Sequence, residues 1–185
     1  MCDKLNVTGL DSELERIVNG CLNNDRLCQK QLYDRYASRM FVVCRRYASS
    51  AAEAEDMLME GFMNVFRNLH SFKGDSKFDT WVYSVMVKTS ISHYRSVRKF
   101  RNEQFSEDLD ETVAWEEENT FVANMDARRV LDLMEKMQTT PRMVFNLKEV
   151  EGYDFKEIAE LLGKKESAVR VAYMRARKWL QDTIS

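Results

Sequence analysis

Residues that bend or end regular structure are scarce in this chain, which has six glycines and one proline among 185 residues. Ordinary proteins use about 7% glycine and about 5% proline, and folds with many strands need such residues at their turns. Hydrophobic residues make up 44% of the chain, enough apolar material for one medium-sized domain or two small ones. We therefore predict an all-α protein.

Apolar residues recur at helical spacing through the first hundred positions. The spacing predicts a helix over 12–22, then a second helix capped by Asp25. A third helix begins at Ser50, which forms a capping box with Glu53. A polar loop over 71–78 precedes a fourth helix. These helices form the first predicted domain, residues 1–101.

The second half of the chain begins with a predicted helix over 126–137. The next helix starts with Thr140 as its cap and Pro141 at its first position, and it ends near Gly152. These helices belong to a second predicted domain, residues 127–185.

The last two helices carry the features of a helix-turn-helix. Asp154 and Glu157 form a capping box at the start of a short helix that Gly163 ends, and a final helix spans 166–181. Two short helices joined by a tight glycine-containing turn are typical of this DNA-binding motif, and any helical hairpin with a basic outer face shares the pattern. Opposite its apolar face, the final helix carries residues suited to the major groove: Ser167, Arg170, Val171, Met174, Arg175 and Lys178.

The near-neutral net charge of −2 conceals three parts of different charge. Residues 1–101 have 16 basic and 12 acidic side chains, and residues 127–185 have 12 and 9. Between them, residues 102–126 have nine acidic side chains and no lysine or arginine, which is typical of an extended linker. The two mildly basic parts are compatible with a polyanionic partner and equally with ordinary solvated surfaces.

Positive and aromatic side chains alternate at the end of the fourth predicted helix, a composition that binds phosphates and stacks on unpaired bases. A basic helix end that complements the helix dipole explains some of these residues. They are Lys88, His93, Tyr94, Arg95, Arg98, Lys99 and Arg101.

Several other classes of protein find little support in the sequence. The four cysteines lack CxxC spacing, and the two histidines stand far from them, so we expect reduced, packed thiols and neither a metal nor another cofactor. The chain shows no P-loop, no HExxH motif and no convincing nucleophile, so we expect no enzyme. With no long apolar run and no signal peptide, we expect a cytoplasmic protein without membrane insertion.

The order and spacing of five motifs resemble the extracytoplasmic-function (ECF) group of sigma-70 factors, the promoter-specificity subunits of bacterial RNA polymerase. The motifs are AEDMLMEGF at 54–62, FKGDSKFDTW at 72–81, EVEG at 149–152, FKEIAELLG at 155–163 and AVRVAYMRAR at 168–177. The likeness extends over about residues 10–182. It implies a protein that binds core polymerase, recognises the minus-10 and minus-35 promoter elements and promotes transcription initiation.

The resemblance also implies which residues contact each partner. The third helix would bind the clamp of the largest polymerase subunit through Asp56, Met59, Glu60 and Met63. A flipped base of the minus-10 element would be held near Phe72 and Lys88. The residues that would bind this element are Phe72, Lys73, Lys77, Lys88, Tyr94, Arg95 and Arg98. The minus-35 element would be read by Lys164, Lys165, Ser167, Arg170, Val171, Met174, Arg175 and Lys178.

The resemblance implies further partners but leaves the promoter sequence open. The polymerase flap is the second implied contact on the enzyme, and the acidic linker and exposed methionines are compatible with an anti-sigma protein. Lys88 stands where the family usually has asparagine, Met59 where it often has glutamine, and Val171 and Ala172 where polar residues are common.

One alternative to a sigma factor is an autonomous helix-turn-helix regulator that binds duplex operator DNA as a dimer. The two classes differ in the role of the first domain, because a regulator needs a ligand pocket or a dimer face there. The loop and the aromatic, basic helix are better suited to single-stranded DNA.

Overall fold

The structure, a computed structural model, describes residues 11–100, 133–134 and 136–184. Every regular element in these residues is helical, which confirms the all-α prediction. The linker 102–126, most of the helix predicted over 126–137, and Cys2 lie outside the described residues. The chain divides between His93 and Tyr94 into two compact units.

The first unit begins with two helices whose start sites follow the sequence prediction. Helix α1 spans Ser12–Leu22, and helix α2 spans Arg26–Arg45. The Asp25 carboxylate accepts hydrogen bonds from the backbone N–H groups of Leu27 and Cys28, so it is the predicted cap of α2.

Two further helices complete the first unit. Helix α3 spans Ala51–Asn68 and continues into a short 3₁₀ helix over Leu69–Ser71. Helix α4 spans Phe78–Phe100, after the polar loop. The last turns of α4 follow the division between the units.

Small residues let the helices of the first unit approach each other closely. A Cβ atom on Gly61 of α3 would lie 2.2 Å from the sulfur of Met86, a fully buried residue of α4. A Cβ atom on Gly20 of α1 would lie 2.2 Å from the sulfur of Cys28 in α2. The two glycines therefore let α1 pack closely against α2 and α3 pack closely against α4.

The thiols of the first unit contribute to this packing. Cys21, Cys28 and Cys44 are buried and free. Burial raises the pKa of Cys21 to about 12 and the pKa of Cys44 to about 11, so both thiols stay protonated at neutral pH. Protonated, buried thiols behave as small hydrophobic groups.

Only one of the two hydrogen bonds of the capping box predicted at Ser50 is present. The Ser50 hydroxyl accepts the predicted hydrogen bond from the Glu53 N–H, at 3.1 Å. The Glu53 carboxylate instead accepts the backbone N–H of Ser49, at 2.6 Å, and also contacts the Ser49 hydroxyl. Two donors on Ser49 compete better for the carboxylate than the one N–H of Ser50.

The next helix of the second unit starts two residues earlier than predicted. Helix α5 spans Thr139–Phe145, with Gln138 as its cap, so Thr140 is not the cap. The Thr140 hydroxyl lies 2.6 Å from the Tyr94 hydroxyl, a contact that takes it away from the helix end. Pro141 is the third helical residue, where its missing N–H costs no intrahelical hydrogen bond.

The described helices after α5 agree with the sequence prediction. A π-helical turn over Asn146–Val150 extends α5 toward Gly152, whose φ is +77°. Helix α6 spans Phe155–Leu162, and helix α7 spans Glu166–Ile184.

Helix α6 begins and ends with the signals that the sequence predicts. The capping box is complete, with Asp154 and Glu157 each accepting the other's backbone N–H at 2.8 Å. Gly163 ends α6 in the left-handed conformation, with a φ of +63°, which a residue with a side chain rarely adopts. The core beneath α7 contains Met134, Met137, Phe145, Ala176 and Leu180.

Candidate nucleic-acid interface

The outer face of α3 combines apolar and acidic side chains. Met59 and Met63 are 56% and 58% exposed, one helical turn apart, and Asp56 and Glu60 are exposed beside them. Exposed methionines of this kind are flexible, polarizable and well suited to a protein partner. The structure thus brings together all four residues predicted to contact the polymerase.

His93 of α4 connects this face to the next helix. Its Nδ1 lies 3.0 Å from the Glu60 carboxylate, and its Nε2 lies 3.9 Å from that of Glu53. One of the carboxylates predicted to contact the polymerase is therefore already paired within the first unit.

Three aromatic rings lie at the base of the loop before α4. Phe72 ends the segment before the loop, while Phe78 and Trp81 belong to the first turn of α4. The ring centroids of all three pairs lie within 5.1 to 5.7 Å of each other. Phe72, predicted to contact DNA, is 3% exposed and lies within this cluster.

A polar contact lies beside the aromatic cluster. The hydroxyl of Tyr36 in α2 donates a 2.5 Å hydrogen bond to the carboxylate of Asp79 in α4. Arg39 also contacts this carboxylate, at 3.3 Å, and its guanidinium lies over the Tyr36 ring. The Tyr36 hydroxyl, followed by Arg39, lowers the pKa of Asp79, whereas burial and Asp79 raise the pKa of Tyr36.

The other residues predicted to bind minus-10 DNA differ in their exposure to solvent. Lys73 and Lys77 are exposed in the loop, and Lys88 and Arg95 are exposed on α4. Tyr94 is buried in the second unit, where it contacts Thr140. The side chain of Arg98 lies outside the described part of the chain.

Helix α7 has the two faces that a recognition helix needs. Val169, Ala172, Ala176 and Leu180 are buried. The exposed residues of the predicted DNA surface are Lys165, Ser167, Arg175 and Lys178, and the partly buried ones are Lys164, Arg170, Val171 and Met174.

Arg170 is held by contacts within the second unit. Its Nη2 and Nε donate hydrogen bonds of 2.6 and 2.9 Å to one oxygen of Glu166, one turn earlier on α7. Its guanidinium also lies 4.5 Å from the centroid of the Phe155 ring. These contacts fix the direction of a side chain that the sequence predicts to contact DNA.

Tyr173 connects α7 to the end of the π-helical turn. Its hydroxyl donates a 2.5 Å hydrogen bond to Glu149, and its ring stacks on that of buried Phe145. Burial, followed by the contact with Glu149, raises the pKa of Tyr173.

Sequence reasoning missed the residues that support the predicted surfaces. The four-residue spacing of Glu166 and Arg170 is a recognisable helix pair, so that contact could have been found. No local signal connects Tyr36 to Asp79, which lies 43 residues further along the chain.

Two family models match the chain, and each covers one of the two helical parts. The model described as Sigma-70 region 2 matches residues 32–100, and the model described as Sigma-70, region 4 matches residues 127–180. The chain therefore belongs to the sigma-70 family. Its function is that of a sigma factor, which binds core RNA polymerase and promoter DNA and is not an enzyme.

Curated relatives place it in the ECF group of that family. The ECF RNA polymerase sigma-E factor of Haemophilus influenzae is 26% identical over 180 residues, which is 92% of this chain and 93% of the relative. The sigma-E factor of Escherichia coli K12 is 26% identical over 181 residues, 92% of each protein. The factor SigE of Mycolicibacterium smegmatis is 27% identical over 158 residues, 84% of this chain and 61% of the relative.

Solved structures similar to this chain include CnrH in complex with the cytosolic domain of CnrY. That structure has 20% sequence identity and a TM-score of 0.46, and it covers 94% of this chain and 97% of the other. The sigma factor RpoE in complex with the anti-sigma factor NepR from Bartonella quintana has 18% identity and a TM-score of 0.45, with coverage of 84% and 95%. In the part of the chain that the structure describes, no helix is long and apolar enough to cross a membrane.

Proposed function

We propose that each of the two units performs a separate part of the function of a sigma factor. The first unit binds core polymerase through α3 and opens the minus-10 element through the loop and α4. The second unit contacts the polymerase flap and reads the minus-35 element through α7. The proposed domain limits are residues 1–101, 102–126 and 127–185, with the acidic part connecting the other two, and the proposed place of action is the cytoplasm.

The observation that carries the minus-35 assignment is the division of α7 into a buried and an exposed face. Arg175 is exposed on the side away from the core, and a guanidinium can bind guanine O6 and N7 together. Lys164 lies before α7, at the turn, where an ammonium group suits a phosphate. Arg175 is thus the proposed base reader, and Lys164 the proposed phosphate contact.

The minus-10 assignment depends on the exposed basic residues around the loop. Lys73 and Lys77 would attract the phosphates of the opened strand, and Lys88 would continue this surface along α4. Capture of a flipped base costs a few kcal/mol of unstacking, which the contacts of the loop must offset. Phe72 would act indirectly, because it belongs to the aromatic cluster that supports the loop.

The α3 face has a proposed second use. Because Met59 and Met63 remain exposed, a protein that covers them would compete with the polymerase for the same surface. We propose that an anti-sigma factor is such a partner.

Paired substitutions in α7 and its turn test the reading assignment. In the holoenzyme, Arg175→Ala should reduce discrimination between the cognate minus-35 element and a one-base variant by about 1 to 3 kcal/mol. Lys164→Ala should weaken binding about equally on both sequences, because a phosphate contact carries no sequence information. Competition binding to the two promoters measures both effects. Equal loss of affinity without loss of discrimination in both variants would refute the proposed reading face.

A further inference from the structure

We propose that Tyr36 and Asp79 are positioning residues for promoter melting. Their hydrogen bond fixes the first turn of α4, and with it the loop over 73–77, in the geometry that captures the opened strand. This inference rests on the proposed function of the loop. It assigns to α2 a part in promoter opening, although no residue of α2 belongs to the predicted DNA surface.

The two ends of the loop are attached to a common base. Phe72 directly precedes the loop, and Phe78 directly follows it. Both rings are buried, and their centroids lie 5.1 Å apart in an edge-to-face arrangement. A loop of five residues between two packed aromatic rings has few conformations available, so its shape depends on where these rings lie.

Helix α2 fixes the position of this base through Tyr36. The Tyr36 side chain is 1% exposed, and its ring packs edge-on against Phe78, with 5.8 Å between the centroids. Its hydroxyl reaches the next residue, Asp79, at 2.5 Å. The same side chain therefore contacts two successive residues at the start of α4, one through its ring and one through its hydroxyl.

The Tyr36 hydroxyl bond belongs to a strong class of hydrogen bond. Its acceptor is a carboxylate, and bonds to charged groups contribute more than those between neutral groups. Arg39, one turn further along α2, contacts the other oxygen of Asp79 and so restricts rotation of the carboxylate. These two contacts, together with the Tyr36 ring against Phe78, attach the start of α4 to α2.

The order of the loop affects promoter melting because the free energy of unstacking is offset only by contacts that form after the base has left the stack. If the loop must first be ordered, the conformational entropy of its residues is added to the cost of unstacking. A loop that is already ordered avoids that addition. On pre-melted DNA no free energy goes into unstacking, so the same ordering cost leaves capture of the open strand favourable. Loss of the hydrogen bond should therefore reduce opening of duplex DNA more than it reduces activity on DNA that is already open.

The test compares Tyr36→Phe holoenzyme on a duplex promoter and on the same promoter with a pre-melted minus-10 region. We expect open-complex formation on the duplex, measured by permanganate reactivity of unpaired thymines, to fall about tenfold. On the pre-melted promoter we expect activity near that of the wild type. Asp79→Asn should cause a smaller defect of the same kind, because the amide oxygen still accepts the Tyr36 hydroxyl while the charge that strengthens this bond and attracts Arg39 is lost. Phenylalanine keeps the aromatic packing of Tyr36, so the comparison isolates the hydroxyl.

Tyr33→Phe is the matched control, because Tyr33 lies on the same helix and its ring packs against Phe62. It should leave opening of the duplex unchanged. An unchanged rate for Tyr36→Phe on the duplex, or an equal defect on both templates, would overturn the proposed positioning role. Failure of the wild-type holoenzyme to open the duplex would instead contradict the proposed function of the loop.

Discussion

Asp79 combines a structural contact with a titration that can be measured. Hydrogen bonds from Tyr36 and then Arg39 hold the pKa of this carboxyl below its ordinary value of 3.8, so the folded state favours the ionised form. Such a group stabilises the fold above its ordinary pKa, and the contribution is lost as the pH falls through the lowered pKa.

We predict that Asp79→Asn lowers the free energy of unfolding at neutral pH and that this deficit shrinks as the pH falls below 3.8. Urea denaturation followed by circular dichroism, from neutral pH into the acid range, measures the difference. Tyr36→Phe should also make the free energy of unfolding depend less on pH in the acid range, because it removes the main cause of the lowered pKa of Asp79. A deficit that stays constant over the whole range would contradict this account of Asp79.

Arg170 shows that a residue's type does not determine its surroundings. A basic residue on the outer face of a recognition helix suggests a free guanidinium, yet the structure places Glu166 and Phe155 around it. A held guanidinium loses less entropy on binding DNA than a mobile one. These contacts are compatible with a reading role, and they make Glu166 and Phe155 supports for Arg170.

At the scale of the helices, local signals in the sequence predicted most boundaries. Asp25 and Asp154 cap helices where predicted, and Gly163 ends α6 in the left-handed conformation. These signals act within a few residues, so the sequence alone contains them. The prediction for Thr140 was wrong because its hydroxyl has a distant partner, Tyr94, which local spacing does not reveal.

The supporting contacts of the candidate surfaces were beyond sequence reasoning for the same reason. The exposed residues of α3 and α7 could be assigned to faces from their spacing. The contact between Tyr36 and Asp79 depends on how α2 packs against α4, and the burial of Phe72 depends on the rings of Phe78 and Trp81.

The close approach of α1 and α2 leads to a prediction about Gly20. We expect Gly20→Ala to lower the free energy of unfolding by up to about 2 kcal/mol, because overpacking costs about 1 to 3 kcal/mol and the gain in helix propensity offsets about 1 kcal/mol of it. The added Cβ would lie 2.2 Å from the Cys28 sulfur. Chemical denaturation of both proteins measures the effect.

The Cys28→Ala background is the control for this substitution. Without the sulfur, Gly20→Ala should cost less, so the two changes should be coupled in a double-mutant cycle. A more stable Gly20→Ala protein, as helix propensity alone would give, would contradict the packing described for these helices.

For the whole molecule, the proposed division of work makes the α3 face the contact with core polymerase. We predict that Met59→Ala and Met63→Ala together weaken binding to core polymerase about tenfold or more, because exposed apolar residues at the centre of an interface contribute strongly. Titration of labelled protein with core polymerase measures the affinity. The isolated variant should keep its thermal stability, since both side chains are more than half exposed.

Leu27→Ala provides a matched control for that prediction. Leu27 is also an exposed apolar residue, at 65%, but it lies at the start of α2 and outside the proposed surface. Its substitution should leave the affinity for core polymerase unchanged. Equal losses from the Leu27 and methionine substitutions would argue against a specific contact at α3.

The most direct test of the whole account is run-off transcription on fragmented genomic DNA, with core polymerase from the source organism. The reaction is run with and without the protein. A promoter-specificity subunit predicts transcription start sites that appear only when the protein is present, preceded by shared minus-10 and minus-35 elements. An absence of new start sites, together with no co-elution with core polymerase on gel filtration, would contradict it.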